Sequence, residues 1–296
     1  MARTEPVGLD AELDALRRAA LGAAVAPMVE LPPAAVRERV SAGDRLCAAG
    51  PPVEVRDTTA DGVPVRIYEG ARSRATLAWA HGGGWVTGDL EYSDEICRFL
   101  AAHADVRVVS VDYRLAPEHP LPAGADDVAR GLAWCRRMWP GTAICTGGDS
   151  AGGHLAVAAA ARGGADALVL VYPVLDRPGR WPSYDSMGDA FPIGRAAMDW
   201  FWRHAGGDLL PPGEMPLERA DLGALPPVLL VLAGHDPLHD EGIAFADRVR
   251  TGGGTVTVTD HPALCHGFLR FSAASATVAA ARTDLVESVR RLVLDL

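Results

Sequence analysis

From residue 75 onward, short apolar runs alternate with longer stretches of helical periodicity. The runs at 75–80, 106–112, 143–146, 167–172, 227–233 and 255–259 are rich in Val, Leu and Ala. They predict strands buried on both faces, because strands of a helix-covered parallel sheet show little alternation. Helices are predicted at 92–104, 123–138, 150–162, 240–250 and 275–294. Ahead of them, 53–58 and 63–68 do alternate, and they flank Ala60-Asp61-Gly62, a hairpin turn signal. These predict two antiparallel edge strands, with Pro64 tolerable at an edge. The fold class expected is α/β: a mostly parallel eight-stranded sheet with helices on both faces, one domain over 1–296.

Two segments stand outside this alternation. Residues 1–46 repeat Leu9, Leu13, Leu16 and Leu21 at roughly helical spacing, and Pro32-Pro33 separates them from a second short helix at 34–42. They predict an N-terminal helical cap or a helical dimer arm. Between 172 and 225 there is no strand pattern, many prolines and glycines, and one helical piece at 195–205 carrying Trp200, Phe201 and Trp202. So long an excursion inside a compact domain predicts a lid or subdomain over a site.

Candidate chemistry lies where such sheets place it, at the carboxyl ends of strands. Gly148-Asp149-Ser150-Ala151-Gly152 follows the 143–146 run and precedes an alanine-rich helix. Glycine, any residue, serine, any residue, glycine is the pattern of a strained strand-to-helix turn that exposes a serine hydroxyl at a helix N-terminus. His81-Gly82-Gly83-Gly84-Trp85 follows the 75–80 run. Its glycines let backbone N–H groups approach a ligand, so Gly83 and Gly84, with Ala151, are the expected oxyanion donors. His81 is expected to orient this loop. Downstream, 227–233 is followed by Gly234-His235-Asp236, and the last strand by His261 and His266. The order serine, acid, histidine suits a serine hydrolase of this fold. Asp236 is favoured over Asp240 as the acid, because Asp240 reads as a helix N-cap. His266 is favoured over His261, which sits at the strand end before a proline. Cys265, beside His266, is not read as a nucleophile.

Composition narrows the chemistry. All 28 basic residues are arginine, and the chain contains no asparagine or glutamine. A lysine Schiff base, a Ser/Lys dyad and an amide side chain in an oxyanion hole are therefore excluded. The net charge of -10 argues against nucleic acid or an anionic membrane surface as partner. No long apolar run and no signal-peptide pattern is evident, and five unpatterned cysteines read as reduced thiols, so a cytoplasmic location is expected. No metal or cofactor is expected. Trp85, Phe191 and Trp200 suggest an apolar substrate pocket.

At these residues the chain resembles the bacterial hormone-sensitive-lipase family of α/β-hydrolase esterases, in its Gly-Asp-Ser-Ala-Gly branch. Five motifs carry the resemblance in order: His81-Gly82-Gly83-Gly84, the segment from Asp112 to Pro120, the turn at Ser150, the segment from Asp236 to Gly242, and His266-Gly267-Phe268. The resemblance implies Ser150 as nucleophile, His266 as base, Asp236 as its orienting acid, and Gly83, Gly84 and Ala151 as the oxyanion hole. It also implies a cap built from 1–46 and 180–216, and hydrolysis of short- to medium-chain esters. His239 and His154 depart from the family's frequent arginine and asparagine. Arg114, Glu118 and His119 are expected to tie their loop to the body. An amidase, deacetylase or acyl transferase would use the same groups, and a ligand receptor or lyase is the reading of another class. The expected partner is a small-molecule ester. The expected assembly is a monomer or a homodimer paired through an exposed strand at 255–259.

Overall fold

A computed structural model describes residues 7–23, 26–42 and 46–296. Two helices, α1 (Ala11–Gly22) and α2 (Pro33–Ala42), precede a hairpin of β1 (Glu54–Ala60) and β2 (Val63–Glu69). Strands and helices then alternate as β3 (Ala75–Ala80), α3 (Asp94–His103), β4 (Val106–Val111), α4 (Ala123–Met138), β5 (Ala143–Asp149), α5 (Ala151–Ala160) and β6 (Ala167–Val171). The excursion follows, with α6 (Ser183–Ser186) and α7 (Arg195–His204), and the chain closes with β7 (Val228–His235), α8 (His239–Thr251), β8 (Val256–Cys265) and α9 (Ala276–Leu294). The eight strands form one sheet in the order β1-β2-β4-β3-β5-β6-β7-β8, parallel from β4 to β8.

Both faces are packed. Along β3, Leu77 and Trp79 join a core with Leu100 of α3 and Leu285 and Val289 of α9. Ala78 and Ala80 join the opposite core with Leu132 of α4 and Leu155 of α5. One strand thus feeds two layers, which is why its sequence is apolar throughout.

Several boundaries differ from the sequence expectation, each for a local reason. β2 is not an edge strand: it pairs with β1 on one side and β4 on the other. Pro64 escapes conflict because the β4 ladder begins at Val65, and the Pro64 carbonyl still accepts from Asp112 N at 3.0 Å. β5 runs on through Gly147 and Gly148, which stay in register with Trp79 and Ala80. β8 runs on to Cys265 through Pro262, and as the sheet's edge it needs no N–H on its outer side. α8 begins at His239, so Asp240 lies within its first turn and is not its N-cap.

In the N-terminal part, Asp10 caps α1 by accepting from Glu12 N and Leu13 N. Leu13 is fully buried, and Leu9 and Leu16 pack beside it. Leu21 is 74% exposed, contrary to the predicted stripe. It lies five residues beyond Leu16, which at 3.6 residues per turn is about 140° around the helix. Residues 1–6, 24–25 and 43–45 of the predicted N-terminal helical region lie outside the described residues.

Candidate active site

The turn after β5 carries the first group. Ser150 has φ 54° and ψ -120°, a backbone region that costs a non-glycine residue about 1–3 kcal/mol. Packing holds it there. Ser150 N donates to Val171 O at 2.9 Å, and Val174 N donates to Ser150 O at 3.0 Å. A Cβ at Gly148 or Gly152 would come within 2.3 or 2.0 Å of Ala80 O, so only glycine lets the turn lie this close to β3. The serine is thereby aimed off the carboxyl edge of the sheet.

Two other strand ends supply its partners. Ser150 Oγ lies 2.9 Å from His266 Nε2, and His266 Nδ1 lies 2.7 Å from Asp236 Oδ2. Asp236 follows β7, and its Oδ1 accepts from Leu238 N at 2.8 Å, which fixes the carboxylate plane. All three side chains are buried. Nδ1–H donating to Asp236 leaves Nε2 as the lone-pair nitrogen that accepts the serine hydroxyl. The rivals stand elsewhere. Asp240 accepts from Ser183 N at 2.9 Å, and His261 packs edge-on to Phe268. Burial pushes the Cys265 thiol up to about 12, which makes it unreactive.

The loop after β3 faces the same point. Gly83 and Gly84 have φ of 111° and 59°. Among the described residues, the N–H groups of Gly83, Gly84 and Ala151 make no hydrogen bond. Side chains at the two glycines are barred, since a Cβ would meet Thr87 O at 2.2 Å or Phe201 Cδ1 at 2.2 Å. His81 braces the loop: its Nδ1 lies 2.7 Å from Gly82 O, and its ring stacks on Tyr113 at 4.2 Å. Burial lowers its pKa to about 4, so it is neutral. Sequence reasoning missed Asp149. Its Oδ1 accepts from Gly82 N at 3.0 Å, joining the serine turn to the glycine loop, and burial raises its pKa to about 6. The signal lay in its place directly before Ser150.

These groups open on a cavity of about 210 Å³ lined by Ser150, His266, Gly83 and Gly84. Its apolar walls include Met198 and Phe201 of α7, Phe271, and Met28 and Val40 from the N-terminal part. Trp85, Phe191 and Trp200, expected on the pocket wall, do not line it. Trp85 is buried behind the loop and donates Nε1–H to His154 Nδ1 at 3.1 Å. Burial lowers that histidine's pKa to about 4, so it can accept. Trp200 stacks on His204, one turn along α7 and away from the cavity. Phe191 packs against Phe271 from outside the cavity. Met198 and Phe201, three apart, share the helix face that Trp200 does not.

The segment around Arg114 ties down as expected for two of its three residues. Arg114 pairs with buried Asp127 at 2.8 Å, and Glu118 pairs with Arg37 at 2.6 Å. His119 is exposed, its N donates to Leu115 O, and among the described residues its ring makes no hydrogen bond. Among the described residues no group of three or more potential metal ligands gathers, and no helix is long and apolar enough to cross a membrane.

Known proteins are similar to this chain in sequence and fold. Residues 77–270 match the protein family described as the alpha/beta hydrolase fold. The chain is 34% identical over 265 residues to the carboxylic ester hydrolase LipN of Mycobacterium tuberculosis, covering 80% of this chain and 70% of that one. It is 34% identical over 235 residues to an ethyl acetate hydrolase of Pseudomonas putida, covering 72% and 74%. A solved structure of a Pyrobaculum calidifontis esterase superposes with a TM-score of 0.87 at 29% identity, over 96% of this chain and 99% of that one. The chain belongs to the α/β-hydrolase family, in its hormone-sensitive-lipase-like branch, and is a hydrolase of carboxylic esters.

Proposed function

We propose that ester hydrolysis in this protein runs through an acyl-serine on Ser150. His266 removes the hydroxyl proton as Ser150 Oγ attacks the ester carbon. The N–H groups of Gly83, Gly84 and Ala151 hold the oxyanion, and Asp236 keeps the imidazole in its donating tautomer. His266 then protonates the leaving alcohol, and water releases the acyl group by the reverse path. The observation that carries this reading is the continuous contact from Ser150 Oγ through His266 to buried Asp236, at 2.9 and 2.7 Å, with Ser150 and His266 on the cavity wall.

The substrates proposed are short- to medium-chain esters. A dry cavity of about 150 Å³ accepts benzene, so about 210 Å³ suits an acyl or alcohol arm of modest length. The name of the ethyl acetate hydrolase relative points the same way. Residues 1–46 and 180–216 are read as the cap, since Met28, Val40, Ile193 and Met198 line the cavity. The protein is read as cytoplasmic, with Cys97, Cys135, Cys145 and Cys265 as buried thiols, and as a monomer or a homodimer joined at β8.

The test is hydrolysis of p-nitrophenyl esters from acetate to decanoate by wild type and Ser150→Ala. Loss of about 10⁴-fold in kcat is expected in the variant. Wild-type turnover that survives the substitution would refute the nucleophile.

A further inference from the structure

The charged lining of the cavity does not match the chain that builds it. The protein is acidic, with 38 carboxylate residues against 28 arginines. Yet the charged groups on the cavity wall, besides His266, are Arg39, Arg270 and Asp149. Asp149 is committed to Gly82 N. Arg270 lies over the Tyr92 ring at 3.8 Å and donates to Val40 O at 3.2 Å. Arg39, on α2, donates one Nη1–H bond to Ala26 O at 2.8 Å. It meets no carboxylate within 4.0 Å among the described residues. Arg37, Arg66, Arg98, Arg107, Arg177 and Arg282, similarly buried or more so, each meet one.

A guanidinium has five N–H donors in a planar fork that matches a carboxylate. Arg39 holds most of that fork unspent at a cavity whose remaining wall is largely apolar. A neutral aliphatic ester has no group to use it. An ester carrying a carboxylate does.

We propose that Arg39 recognises a carboxylate on the substrate, so that the enzyme's preferred substrates are anionic esters. The carboxylate sits either on the acyl arm, as in a half-ester of a dicarboxylic acid, or on the alcohol arm, as in an ester of a hydroxy acid. The proposal rests on the assignment of the Ser150 cavity as the active site. A charge-assisted fork in a partly dehydrated site discriminates by about tenfold or more.

Two probe pairs separate the arms. Mono-p-nitrophenyl adipate is compared with p-nitrophenyl hexanoate, and p-carboxyphenyl butyrate with p-tolyl butyrate. Wild type, Arg39→Gln, Arg39→Lys and Ser150→Ala are assayed. The quantity read is the ratio of kcat/KM, anionic over neutral, within each pair. Intrinsic reactivity of the probes cancels when enzymes are compared. In one pair the ratio should fall about tenfold from wild type to Arg39→Gln, with Arg39→Lys between them. The wild-type ratio for that pair should also fall as salt rises from about 20 to about 500 mM, a readout that needs no variant to fold. Ratios that stay within about twofold in both pairs, with no salt dependence, overturn the proposal. Equal loss on both members in both pairs does so too, because it marks a merely structural arginine. Turnover that survives in Ser150→Ala would instead sink the active-site assignment, and this proposal with it.

Discussion

Asp149 shows how one buried group couples the pieces of this site. Its Oδ1 holds Gly82 N, and its Oδ2 lies 2.4 Å from where a Gly82 Cβ would stand, so the carboxylate and the glycine require each other. Burial raises its pKa from 3.8 to about 6. The folded chain therefore binds this proton more tightly than the unfolded chain does. Its contribution to stability is full below about pH 3.8 and is lost as pH rises through about 6. Asp149→Asn keeps an oxygen for Gly82 N and removes the ionisation. Its unfolding free energy relative to wild type should rise between about pH 4 and pH 7, by up to ~3 kcal/mol. Urea midpoints at the two pH values check this, and a pH-independent difference would speak against it. Sequence reasoning singled out the glycines, because their spacing around a serine is a pattern. It passed over Asp149, because a carboxylate between a strand and a serine has no pattern until the facing loop is placed.

The helices and loops around the site are joined to it by a few polar contacts. Arg37 of α2 donates to Val86 O and Ala116 O, both at 2.8 Å, as well as to exposed Glu118. Val86 lies two residues beyond Gly84, so this contact connects the N-terminal helices to the glycine loop. Exposed ion pairs contribute under about 1 kcal/mol, and each carbonyl bond about 1 kcal/mol. Arg37→Ala should therefore destabilise by about 2 kcal/mol and Glu118→Ala by less than about 1. The reverse ranking in denaturant titrations would place the energy in the ion pair instead. Ser183 plays a similar part in the excursion: its hydroxyl donates to Pro237 O at 2.6 Å, beside Asp236. Most strands and helices were legible as elements, because burial on two faces leaves long apolar runs. Their ends were less so. Gly147 and Gly148 read as a turn, yet they stay in the ladder because the neighbouring strands leave no room for a Cβ.

At the scale of the whole molecule, the two cores bury most of the reactive side chains the sequence offers. Four of the five cysteines are buried, and Cys47 is half-buried. Burial raises the thiols of Cys135, Cys145 and Cys265 to about 12 and that of Cys97 higher. In the native protein an aromatic disulfide reagent should react quickly with no more than Cys47, and in urea with all five. Rapid reaction of two or more thiols in the native state would mean that the cores open readily. His239 gives a second whole-molecule readout. Its contact with Asp260 at 3.1 Å raises its pKa above 6.5. The stability it adds is full below pH 6.5 and declines as pH rises through the raised value.

The sequence by itself determined the fold class and the order of its parts. Short apolar runs that lack alternation, set between longer helical stretches, fit strands covered on both faces, and the candidate serine, acid and histidine lie just beyond three of those runs. It also excluded an amide side chain as an oxyanion donor, since the chain has no asparagine or glutamine. The wall of the cavity was decided only by the tertiary structure. Trp200, Phe201 and Trp202 are adjacent, aromatic and buried, and composition treats them alike. Adjacent positions on α7 diverge by about 100°, which turns Phe201 to the cavity while Trp200 stacks on His204 one turn further on. Arg39 reaches the cavity of Ser150 from more than a hundred residues earlier in the chain, because α2 packs against the glycine loop. Periodicity reports which face of an element is buried, and it carries no record of what lies opposite.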